Sequence, residues 1–154
     1  MTNPFEPPRS NLQLKNTEPG SVPKAVAIGV AIDIGGTLLM SFAAALIYGA
    51  ILGVRGLSEE AIVAEFEQMQ PWSMFGIITG SMGLAISAFA GFQCARIANR
   101  NSYLAPGIMA MISCAFGAAL SSGAYSQSVL IVLSALSVIA VLAGAFVYVR
   151  SMQR

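Results

Sequence analysis

Between Ala25 and Val54 the chain runs for 30 residues with one charged side chain, Asp33. Three further apolar runs follow, at about 72–95, 103–122 and 129–149. Runs this long settle their backbone hydrogen bonds within a helix and place their side chains against lipid. The composition points the same way. The chain is 56% hydrophobic and 10% charged, where a soluble domain carries about 25% charged residues. The expected fold is an all-α integral membrane protein, an antiparallel bundle of four transmembrane helices. Histidine is absent and the net charge is only +1, which removes the commonest general base and gives no footprint for nucleic acid.

Residues 1–23 read as a polar, proline-rich cytoplasmic arm, with too little apolar content to bury a core. The arm lacks the apolar stretch of a signal peptide. Its segment Asn3-Pro4-Phe5-Glu6-Pro7-Pro8 has the character of a docking peptide, although a solvated tail is the simpler reading. The membrane domain is expected over 24–150. The first span, about 25–54, would be roughly 45 Å long against about 30 Å of hydrocarbon, so it must tilt, kink near Gly35-Gly36 or extend beyond the bilayer. Residues 57–70 read as a short amphipathic external helix, capped by Ser58, with Ile62, Phe66 and Met69 on one face.

The second span carries Gly76 and Gly80, then Gly83, Ser87, Gly91 and Ala95 at every fourth position. Small residues at that spacing let helix backbones approach closely in lipid. Gly36, Gly117 and Gly144 are expected to serve the same packing in the other spans. Cys94 and Cys114 read as small packing residues. On this topology they lie about 15 Å apart in depth, too far to be bridged. Seven basic residues (Arg9, Lys15, Lys24, Arg96, Arg100, Arg150 and Arg154) fall on one side of the four spans, and Arg55 alone falls on the other. By the positive-inside rule both termini are cytoplasmic.

No catalytic, metal or nucleotide motif stands out. There is no Gly-x-Ser-x-Gly elbow and no Gly-x-x-x-x-Gly-Lys loop. The expectation is a non-enzyme without a cofactor. Glu60, Glu65 and Glu67 of the external helix read as a solvated acidic face.

Asp33 is the residue that needs a reason, because a carboxylate in lipid is costly. Gly29, Gly36 and Thr37 flank it at helical spacing, which turns it toward the bundle. It can titrate on an ion or proton path, bind a polar ligand, or pair with a neighbour. Gln93 and Arg96, at the cytoplasmic end of the second span, are the candidate partners. The favoured reading is a clasp between the first two spans.

The stretch Gly91-Phe92-Gln93-Cys94-Ala95-Arg96-Ile97-Ala98-Asn99-Arg100, followed by Tyr103-Leu104-Ala105-Pro106-Gly107, resembles a hairpin of small four-helix bacterial inner-membrane proteins of uncharacterised function. The Asp-Gly-Gly of the first span and the Asn-Pro-aromatic-x-Pro-Pro arm fit that group too. Members often carry histidine where this chain has Pro106. The resemblance implies fold, topology and an inner-membrane location, and supplies no activity.

The sequence therefore leads to a multi-pass inner-membrane protein that acts as a non-catalytic accessory or structural partner. Its partners would be the lipid bilayer, other membrane proteins and further copies of itself. The alternative is a small channel or transporter-like protein in which Asp33 binds a cation or proton.

Overall fold

The computed structural model describes residues 20–99, 103–121 and 125–152. These residues form five helices and no strand: α1 (Val22–Val54), α2 (Glu59–Glu67), α3 (Met74–Ala98), α4 (Leu104–Leu120) and α5 (Gln127–Met152). Three of them, α1, α3 and α5, are long and apolar enough to cross a membrane. The protein is an all-helical membrane protein. α4 is apolar but has only 17 residues, roughly 26 Å of helix.

Local chemistry sets each boundary. α1 starts at Val22 because Pro23 falls in its first turn, where proline loses no hydrogen bond and its φ suits a helix. Val22 and Pro23 therefore belong to the helix rather than to the arm assigned to residues 1–23. Residues 1–19 of that arm, with the proposed docking peptide, lie outside the described residues. Gly56, at φ 85°, turns the chain after α1. Ser58 caps α2 by accepting from the Ala61 N–H at 3.4 Å. α2 ends at Glu67, short of Gln70, since Pro71 disfavours helix in the residue before it.

Ser73 caps α3 through the Gly76 N–H at 3.1 Å, which leaves Trp72 before the helix. At its other end α3 continues through Arg96 to Ala98. It stops at Asn99, whose φ of 53° is one that asparagine tolerates better than most side chains. The basic connector expected from Arg96 onward is thus partly helix.

Close contacts give the helix directions. Gly29 lies against Cys94, and Gly36 against Ile86, so α1 and α3 are antiparallel. Gly91 meets Val141 and Gly144 meets Ala88, where the backbones of α3 and α5 cross closely. Cys114 of α4 reaches Ser134 of α5. α3 touches α1, α4 and α5, while α1 and α5 do not meet.

Burial is strongly uneven along the helices. The core comprises Ala25, Val26 and Gly29 of α1, residues from Ser87 onward in α3, Ala105 to Ala110 in α4, and residues from Val141 onward in α5. These stretches share one end of the molecule. Ala25, Ala90, Cys94, Ala98 and Ala105 are fully buried there, with Met109 and Val141 filling the space between helices. Phe92 and Tyr148 stack edge to face at 5.6 Å. Beyond Asp33 and Ser87 the packing loosens, and Leu52 is the one further buried residue in any of the helices. An aromatic group of Tyr48, Phe66 and Phe75, with centroids 4.7 to 6.3 Å apart, ties α1, α2 and α3 together at the far end.

The glycines divide accordingly. A Cβ on Gly91 or Gly144 would collide with the backbone of the facing helix, and one on Gly36 would press on Ile86. Gly76 packs against its own preceding turn at Pro71, and Gly83 is in ordinary contact range of Thr37. Gly80 and Gly117 were expected to pack helices, yet nothing lies within 4 Å of a Cβ at either position. They fall in the loose half, where the helices have already parted.

Candidate functional site

Asp33 lies where the tight half gives way to the loose half. It is 4% exposed. Its neighbour across the interface is Ser87 of α3, 6% exposed, whose Oγ donates to Asp33 Oδ1 at 2.6 Å. Ser87 is the one hydrogen-bond partner of Asp33 among the described residues.

This arrangement changes the expected partnership. Arg96 is exposed and Gln93 half-buried, and neither bonds Asp33. The reason is geometric. Ser87, which sets the level of Asp33 on α3, precedes Arg96 by nine residues, roughly 13 Å along the axis. Asp33 also lies eleven residues from the start of α1, roughly 16 Å, about half of a 30 Å hydrocarbon layer. The guanidinium belongs to the end of the bundle and the carboxylate to its middle.

Asp33 forms part of the wall of a cleft of about 280 Å³ between α1, α4 and α5. Thr37 stands one turn further along α1, Ser113 and Ser121 come from α4, and Ser137 from α5. Ser113 Oγ is buried and has no hydrogen-bond partner among the described residues. The remaining walls are apolar, from Ile34, Leu38, Phe116, Gly117 and Leu120. Leu38, Phe116 and Leu120 are 41 to 62% exposed, so the mouth is rimmed by side chains suited to lipid. A smaller hollow between α4 and α5 shares Ser113, Gly117, Ser121 and Ser137 with this cleft and adds Ser134. At its edge Cys114 Sγ donates to the Ser134 carbonyl at 3.7 Å, and both cysteines are free thiols.

The charge balance is informative. A carboxylate at the centre of a spanning helix costs about 2.5–3.5 kcal/mol to insert. One hydrogen bond to a charged group returns about 1.5–3 kcal/mol. Asp33 has that single bond, from a neutral donor.

A wider hollow of about 650 Å³ lies at the other end, lined by Tyr48, Glu65, Trp72 and Phe75 among others. Its carboxylate, Glu65, is exposed and solvated, so its size alone carries no chemistry.

The sequence marks Ser87 as a packing residue and Thr37 as a helical neighbour of Asp33, and gives Ser113 and Ser137 no role. Their convergence had two traces in the sequence: Asp33 and Thr37 at i, i+4, and Ser134 and Ser137 at i, i+3. Neither trace says which helices face one another. No family model, curated protein or solved structure matches this chain.

Proposed function

We propose that this chain is a non-catalytic, four-span membrane protein that binds a cation at Asp33, in the manner of a small channel or transporter-like protein. One observation carries the reading. A buried carboxylate with a single neutral partner opens onto an apolar-walled cleft, which a buried hydroxyl with no partner among the described residues also lines. A purely structural clasp would more naturally close on a group that neutralises the carboxylate, and Arg96 does not do so.

The test is cation-dependent flux, or cation binding, in protein reconstituted into liposomes. Asp33→Asn abolishes either signal while the protein stays folded. Equal signals in wild type and variant end the proposal, and so does the lack of any signal in wild type.

A second reading draws on a different observation. The Ser87–Asp33 bond joins α1 to α3, and Gly80 leaves open backbone with nothing within 4 Å of an added Cβ. This supports an accessory or structural partner of other membrane proteins. In that case Asp33→Asn changes stability and alters no cation signal.

A further inference from the structure

We infer that the Asp33 cleft takes an organic cation with an apolar body, a substituted ammonium, which enters sideways from the lipid. The inference rests on the cation-binding reading and adds the class of ligand and its route.

Volume argues first. The cleft holds about 280 Å³, several times the roughly 30 Å³ that one water occupies in the liquid. A bare alkali ion fills little of this and asks for a shell of oxygen ligands. The cleft instead concentrates its one negative charge beside Asp33 and lines most of its wall with hydrocarbon. Ile34 and Leu38 supply one side and Phe116 and Leu120 the other. A few placed polar groups within an apolar wall describe a small-molecule pocket.

Charge selects the head of the ligand. The carboxylate attracts a positive group, and the lining includes Phe116, an aromatic residue of the kind that attracts a substituted ammonium. Ser113, a polar residue of the same wall, has a buried hydroxyl with no partner among the described residues. Access follows from the rim, because Leu38, Phe116 and Leu120 are exposed and α1 does not contact α5. A ligand that partitions into lipid reaches the carboxylate without crossing the tightly packed end.

The experiment is equilibrium binding of radiolabelled benzyltrimethylammonium to the full chain in lipid nanodiscs, with empty nanodiscs as blank. Tetramethylammonium, which is the head without the body, and sodium-22 are run beside it. Two variants are compared. Asp33→Asn removes the charge and keeps an oxygen acceptor for Ser87. Gly117→Leu fills the cleft from a position where nothing lies within 4 Å of an added Cβ, so the fold has room for it. Saturable benzyltrimethylammonium binding is expected, weakened about tenfold or more by either variant, with tetramethylammonium about tenfold weaker than the benzyl compound. Binding that both variants leave unchanged overturns the inference, since the ligand then sits elsewhere. Competition by neopentylbenzene, the uncharged isostere, at the same concentrations also overturns it, because the cleft would then be an apolar slot for lipid chains. Asp33-dependent sodium binding without benzyltrimethylammonium binding removes this inference and leaves the cation reading standing. If neither cation binds, both fall.

Discussion

At the scale of single residues, Asp33 and Ser87 depend on each other unequally. Ser87→Ala takes away the one donor that Asp33 has and leaves a buried acceptor unmet, a loss of about 1–3 kcal/mol. The expected result is a lower Tm for purified protein in detergent. Asp33→Asn keeps an oxygen opposite Ser87 Oγ and discards the charge, so its Tm is expected at or above that of wild type. An equal fall in both variants would mean that the carboxylate charge itself holds α1 to α3. The sequence marked Asp33 plainly, because it is the one charge in a long apolar run. Its partner was expected at Gln93 or Arg96, the polar groups at the end of the second span, and so was placed too near that end of the bundle. A serine among glycines and alanines carries no mark that separates a donor from a spacer. Only the register of α1 on α3 brings it opposite Asp33.

At the scale of the element, α3 shows what periodicity in small residues can and cannot say. Ser87, Gly91 and Ala95 were legible as a close-packing stripe, and all three are buried. The same stripe read equally well through Gly80, where no helix approaches. Spacing identifies a face and leaves open how far along that face a neighbour stays near. The contrast is measurable. Gly144→Leu drives a side chain into the backbone around Ala88 and is expected to destabilise by about 1–3 kcal/mol, the usual cost of overpacking. Gly80→Ala meets nothing and is expected to be neutral or to stabilise by up to about 1 kcal/mol through helix propensity. Thermal unfolding in detergent reads both. Comparable losses at the two sites would mean that Gly80 is packed in the membrane after all. α2 illustrates the opposite case. Its cap and its Ile62–Phe66–Met69 face were both readable, because those signals are local, and all three side chains are half-buried.

At the scale of the whole molecule, the existence of the apolar helices followed from hydrophobicity and length, while their arrangement did not. Nothing in composition distinguishes a bundle packed evenly along its length from one packed at a single end. That difference arises where alanine, glycine and Cys94 crowd the junction of α3 and α4 while bulkier side chains hold the other ends apart. The placement of the bundle in the membrane has its own test. Seven basic residues against one put both termini in the cytoplasm under the positive-inside rule, so a reporter fused after Arg154 is expected to read as cytoplasmic. A periplasmic signal would reverse the orientation and with it the side from which the tight half faces the cell.

The shortness of α4 has a consequence for the lipid around it. A 17-residue helix is about 26 Å long, less than the usual hydrocarbon thickness of about 30 Å. A bilayer meets such a mismatch by thinning locally beside the short segment. Ser113 lies only eight residues before Ser121, roughly 12 Å along the axis. Headgroups and water that dip toward the end of α4 therefore shorten the path to the floor of the cleft on that side. A bilayer crossed by α4 would thin beside it, on the side of the cleft that holds Asp33.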